Sequence, residues 1–182
     1  GMNRKAGIRG LVGIVAAAAV IAVSAGPSLA QELPLWPKGA PDANGTAKTD
    51  IPTIRVFASP KGVAGPVPAV LLIPGGGYKH ISGYGQYWDF FKDRPVRFFS
   101  MKYRLPIHGY RHPSPLKDAS RAVRTIRAGA RKWNVDPNRV AVIAFSSGGH
   151  VASTLATHFT PGDANSADPV ERQSSRPACM AL

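Results

Sequence analysis

The sequence predicts an α/β fold: a mostly parallel sheet with helices on both faces. Three observations predict it. Continuous apolar runs at residues 69–73 and 140–145 suit strands covered on both sides. Segments of helical period separate them. Each run also leads into a turn of small residues, Pro74-Gly75-Gly76-Gly77-Tyr78 after the first and Ala144-Phe145-Ser146-Ser147-Gly148 at the end of the second. Apolar strands alternating with helices are the pattern of a parallel sheet.

The chain opens with Arg4, Lys5 and Arg9, then an apolar stretch over residues 11–23, then Ser28-Leu29-Ala30. Basic, apolar and small-residue regions in that order make a secretory signal. Thirteen apolar residues are short of the ~20 that span a bilayer. Residues 1–30 are therefore expected to be a signal peptide, cleaved after Ala30, giving a periplasmic or secreted protein without a stable membrane anchor. Residues 31–182 amount to one domain. Cleavage removes three basic and no acidic residues, so the formal charge falls from +13 to +10. No aromatic residues interleave with the basic ones as a base-stacking platform requires, so no specific nucleic acid partner is expected. The lone Cys179 cannot form an internal disulfide, and no Cys/His spacing suggests a zinc site, so no metal or cofactor is expected.

Residues 31–50, rich in Pro, Gly and Ala, read as an extended lead-in. Residues 53–57 alternate like a half-buried strand and end in Ser59-Pro60-Lys61-Gly62, a turn. Residues 86–92 read as a helix and residues 96–101 as a strand. Ser114-Pro115 then opens the strongest helix, a cap residue followed by proline. On it Leu116, Ala119, Val123, Ile126, Ala130 and Trp133 share one face. Lys117, Arg121, Arg124, Arg127, Arg131 and Lys132 fall on the outer face, which reads as solvated. Residues 134–138 end the helix before the strand at Val140, and residues 148–157 form the helix after the serine turn.

A strand, a sharp turn carrying serine and a helix make the nucleophile elbow of an α/β-hydrolase. The positions two before and two after the nucleophile crowd each other and must be small. Ala144 and Gly148 satisfy this around Ser146, whereas centring on Ser147 would put Phe145 in the crowded place. Attack on an ester carbonyl needs aligned N–H donors for the developing oxyanion. The Ser147 N–H is one, and the Gly75-Gly76-Gly77 loop supplies the others.

Pro74-Gly-Gly-Gly-Tyr78, Lys102-Tyr-Arg-Leu-Pro106, His112-Pro-Ser-Pro115 with Asp118, Asp136-Pro-Asn-Arg139 and Phe145-Ser-Ser-Gly-Gly-His150 resemble successive blocks of secreted α/β-hydrolase esterases. The group is the acetyl-xylan-esterase and feruloyl-esterase-like one, some of whose members are labelled xylanases. Leu33-Pro-Leu-Trp-Pro-Lys-Gly-Ala-Pro41 is similar to mature starts in that group. The resemblance implies that Ser146 is the nucleophile, with Gly76, Gly77 and Ser147 at the oxyanion hole. It implies a serine carboxylester hydrolase that deacylates short acyl esters of plant polysaccharide through an acyl-enzyme. Its partner would be a small acyl ester or an acylated polysaccharide.

Residues 168–177 still resemble the family, but residues 178–182 do not, and the family places its triad acid and histidine further along. Residues 31–182 are thus expected to be the N-terminal part of the hydrolase domain, a partial fold with later strands missing. The strand at residues 140–145 would be left as an open edge, prone to aggregation, and the chain alone would be inactive. His150 and His158 fall on the helix leading away from Ser146 and read as packing or surface residues. His80 reads as a pocket wall, and His108 and His112 as structural. Asp163 and Asp168 read as turn residues, so no triad acid or histidine is assigned. The rival readings are a non-catalytic exported remnant and a peptidase-type α/β-hydrolase.

Overall fold

Strand β3 (Val67–Ile73) runs through the middle of a sheet ordered β1-β2-β4-β3-β5-β6. Its branched aliphatic residues fit a pleated surface packed on both sides, and Leu71, Leu72 and Ile73 are completely buried. The computed structural model describes residues 30–182, so the signal-like segment at residues 1–29 lies outside the described residues. Strands β4 (Arg97–Lys102), β5 (Val135–Ala144) and β6 (Cys179–Ala181) join β3 in parallel. Strands β1 (Gln31–Pro34) and β2 (Thr53–Val56) add antiparallel at one edge. The expected mostly parallel sheet is present. Part of the lead-in, read as merely extended, is its edge strand.

Helix α1 (Gly85–Phe91) covers one face: Phe57 stacks on Trp88 at 4.8 Å, and Phe91 on Phe98 at 5.4 Å. Helices α2 (Ser114–Ala128), α3 (Ala130–Trp133) and α4 (Ser147–Thr157) cover the other. Ala119, Val123 and Ile126 on α2 are fully buried, as their spacing predicts. Pro113 caps α2, so Ser114 is its first residue and not its cap. Gly129 separates α2 from α3. A Cβ there would come within 2.4 Å of the Trp133 ring, so any other residue would have to push that ring aside.

Several expectations need correction. Strand β5 begins at Val135 and not at Val140, because Val135 pairs with Val67 across a register shift and the Val67 N–H donates to the Asn134 carbonyl at 3.0 Å. Nor is β5 an open edge. Ala141, Val142 and Ile143 pair with Cys179, Met180 and Ala181, and the Ala178 N–H donates to the Val140 carbonyl at 2.8 Å. Coverage of β5 is also unequal. Val140 and Val142 are fully buried on the α2–α4 side, while Ala141 and Ile143 are half-buried on the α1 side.

A further correction concerns the basic face of α2. Arg121 is 4 % exposed; its Nε donates to the Leu35 carbonyl at 2.9 Å, and its Nη1 lies 2.7 Å from both Asp168 and Glu171. Arg124 pairs with Glu171 and Thr160, and Arg127 donates to the Pro137, Ser174 and Arg176 carbonyls. These three arginines bind the C-terminal segment to the helix. Lys117, Arg131 and Lys132 keep the solvent-facing character expected of the whole stripe: Lys117 is half-exposed and pairs with Asp42 at 2.5 Å, and the other two are exposed.

Candidate active site

Because β3, β4 and β5 are parallel, the loops after Ile73, Lys102 and Ala144 emerge at one edge of the sheet. That edge, at the carboxyl ends of the strands, is where α/β sheets bind ligands. Ser146 stands there between β5 and α4 with φ +55° and ψ −122°, a conformation that non-glycine residues rarely adopt. Strain of this kind persists only when the surroundings over-determine it. The Gly148 N–H donates to the Phe145 carbonyl at 2.9 Å, closing the turn and leaving Ser146 exposed at its tip.

Gly148 is required for a reason the sequence reading did not see. A Cβ at Gly148 would lie 2.1 Å from the Ile73 carbonyl oxygen and 2.6 Å from that of Pro74. The end of β3 thus crowds position 148 directly.

The glycine loop reaches the elbow through Gly75. A Cβ there would stand 2.7 Å from the Phe145 carbonyl oxygen and 3.0 Å from Ser146 Cβ. Gly76 has φ +132°, and a side chain on it would strike the His80 carbonyl at 2.0 Å. The loop's carbonyls are spent inside it: Gly76 O accepts from the Lys79 N–H at 3.0 Å, and Gly75 O from the Ser82 N–H at 2.9 Å. Among the described residues the N–H groups of Gly76, Gly77 and Ser147 have no acceptor. The structure therefore brings the predicted loop and the predicted elbow together, with unspent backbone donors on both.

Two tyrosines hold this arrangement. Tyr103 is buried after β4, and its hydroxyl donates to the Pro74 carbonyl at 2.9 Å. Tyr78 ends the glycine loop with φ +61°, and its hydroxyl lies 2.6 Å from His150 Nδ1 on α4. The ring of Tyr78 meets both Tyr103 and His150 edge-on. The Gly-Gly-Gly-aromatic run was visible, but its partner is 72 residues away and no local pattern marks it.

Among the described residues no histidine ring is bonded to the Ser146 hydroxyl. His150 pairs with Tyr78, His158 with Thr157 and the Thr154 carbonyl, and His80 lies exposed behind Gly76. Asp163 and Asp168 accept from the N–H groups of Asn165 and Val170, both at 2.9 Å, which is the turn role expected of them. The Val170 N–H and the Arg121 guanidinium outweigh desolvation at Asp168 and hold its carboxyl below the usual range.

A parallel sheet with a strained serine between a strand and a helix, faced by a glycine loop, is the α/β-hydrolase architecture. The BD-FAE family model matches residues 57–178, and the chain belongs to the BD-FAE family. It is 39 % identical over 93 residues to an acetylxylan esterase of Xylanibacter ruminicola, a match covering 49 % of this chain and 19 % of that protein. Over 94 residues it is 39 % identical to endo-1,4-beta-xylanase B of Butyrivibrio fibrisolvens, covering 50 % of this chain and 15 % of that protein. The fold superposes with TM-score 0.72 and 35 % identity on an acetyl ester-xyloside bifunctional hydrolase from Caldicellulosiruptor lactoaceticus, covering 82 % of this chain and 55 % of that one. Esterase Est2 from Thermogutta terrifontis, at 20 % identity and TM-score 0.61 over 79 % of this chain and 52 % of its own, shares the fold. The chain thus spans about half the length of these structural neighbours and a fifth or less of the curated relatives it matches.

Proposed function

We propose that this chain carries the nucleophile and oxyanion hole of a serine carboxylester hydrolase acting on short acyl esters of plant polysaccharide. One observation carries the reading: Ser146, in a strained conformation, faces a glycine loop whose N–H groups are unspent. Ser146 Oγ attacks the acyl carbonyl and forms a covalent acyl-enzyme that water then hydrolyses. The N–H groups of Gly76, Gly77 and Ser147 stabilise the oxyanion of each tetrahedral intermediate. Acetylated polysaccharide as substrate is supported by the acetylxylan esterase relative and the acetyl ester-xyloside hydrolase neighbour.

The Ser146 proton must pass to a general base, and among the described residues no histidine is bonded to the Ser146 hydroxyl. With the oxyanion hole but no base, only a modest residual rate survives. The 182-residue chain is therefore expected to hydrolyse p-nitrophenyl acetate slowly, and Ser146→Ala to change that rate little. Turnover typical of esterases, abolished by Ser146→Ala, would show that a base is present in the chain, with His80 the first residue to substitute.

A further inference from the structure

A cleft of about 160 Å³ opens between the start of α2 and the outer side of α4. Pro115, Leu116 and Val151 give it an apolar floor, and Arg111, His112 and His150 stand around it, all three exposed. No aspartate or glutamate lines it. Asp118, the nearest acid along α2, is completely buried against Arg104, and Asp42 is paired with Lys117. Arg111 makes no ion pair among the described residues. The cleft therefore holds a guanidinium that nothing in the described chain neutralises.

Tyr78 sets what His150 offers there. Burial raises the Tyr78 pKa, so its hydroxyl stays protonated at neutral pH and can donate. If the hydroxyl donates to Nδ1, 2.6 Å away, the imidazole proton is left on Nε2, the tautomer that the titration below reads. The Thr154 hydroxyl, also at the cleft, already donates to the His150 carbonyl at 2.9 Å. The cleft thus offers the Arg111 guanidinium and an imidazole N–H from each of His112 and His150, with no carboxylate opposing them.

We propose that this cleft is a subsite for a carboxylate carried on a small ring. The guanidinium fork matches the two carboxylate oxygens, the imidazole N–H groups add donors, and the apolar floor takes the ring. His150 lies one turn of α4 beyond Ser146, with its N–H donating to the Ser146 carbonyl at 3.2 Å, so the subsite begins about 6 Å along the helix from the nucleophile. That the bound group belongs to the ester substrate rests on the function proposed above; binding itself does not.

The test is a titration of the ¹⁵N-labelled 182-residue chain at neutral pH, following histidine ring ¹H–¹⁵N correlations. Glucuronate and benzoate are the acidic probes, and glucose and benzyl alcohol their neutral counterparts. In the free chain His150 should read as the Nε2–H tautomer, and Tyr78→Phe should release it to a mixture. Both acids should shift His150 and His112 saturably while the neutral compounds do not, and the tighter acid distinguishes a sugar acid from an aromatic one. Arg111→Gln should weaken binding about fivefold or more, whereas Lys132→Gln, an exposed cation on α3, should leave it unchanged. Shifts no larger than those from equal sodium chloride, or equal weakening by the two substitutions, would overturn the proposal. Because the titration reads binding without turnover, its outcome is independent of the esterase assay.

Discussion

Asp118→Ala is expected to destabilise the chain by about 3–5 kcal/mol, the cost of stranding one member of a buried ion pair. Arg104 and Asp118 have no exposed side-chain surface, and their closest contact is 2.7 Å. Asp118 also accepts from the Arg104 backbone N–H at 2.8 Å, and Arg104 Nη1 donates to the Pro41 carbonyl at 2.6 Å. The pair thus joins the loop after β4, helix α2 and the lead-in segment. With Asp118 gone, the guanidinium remains buried beside Tyr110 and Trp36 without a counter-charge. A loss of that size is a large part of the 5–15 kcal/mol that holds an ordinary domain together. Urea denaturation of Asp118→Ala against the parent chain measures it. The double variant Arg104→Leu with Asp118→Leu should recover much of the loss, since buried pairs often exchange for apolar residues at little cost. A loss under about 1 kcal/mol for Asp118→Ala would show that Arg104 finds water or another partner.

Gly148→Ala should be the most damaging single methyl in the elbow. Its Cβ would fall 2.1 Å and 2.6 Å from two carbonyl oxygens of the β3 end, and backbone cannot swing aside as a side chain can. Overpacking of a tight site costs about 1–3 kcal/mol or more, and here relief requires separating α4 from β3. The neighbouring Gly149 has nothing within 4 Å of an added Cβ. Gly149→Ala should be neutral or stabilising by up to about 1 kcal/mol, the helix preference of alanine over glycine. Thermal melts of the two variants side by side make the comparison. Equal melting temperatures would contradict the close packing of the elbow on β3.

The features readable in the sequence were those carried by local period or by a turn that only small residues can make. Ala119, Val123 and Ile126 revealed the buried face of α2 because helical spacing repeats within one element. Gly75 to Tyr78 and Ala144 to Gly148 revealed the loop and the elbow because their backbones admit few residue types. Features set by distant partners stayed hidden. Arg121, Arg124 and Arg127 looked like a solvated stripe because most of the groups they bind lie 36 to 50 residues further on, in a loop without period, and one, the Leu35 carbonyl, lies 86 residues back. Strand β6 is three residues long, too short for alternation to show. Asp136, Pro137 and Asn138 have turn chemistry, yet they sit in β5 because Val135 is drawn to Val67. The Tyr78–His150 pairing was hidden for the same reason: His150 read as a packing or surface residue on a helix leading away from the serine.

The central claim, that Ser146 sits where backbone N–H groups stabilise a forming oxyanion, is tested most directly by making the nucleophile independent of a base. Ser146→Cys places a thiol at the elbow, and the exposed Cys179 serves as an internal reference in the same molecule. With p-nitrophenyl acetate, each thiolate attacks the acetyl carbonyl and expels p-nitrophenolate, leaving a thioester that peptide mass spectrometry can locate and time. Oxyanion donors and the helix N-terminus both favour reaction at the elbow. Acetylation at position 146 should run roughly tenfold or more ahead of Cys179, and acetylation no faster than at Cys179 would contradict the account.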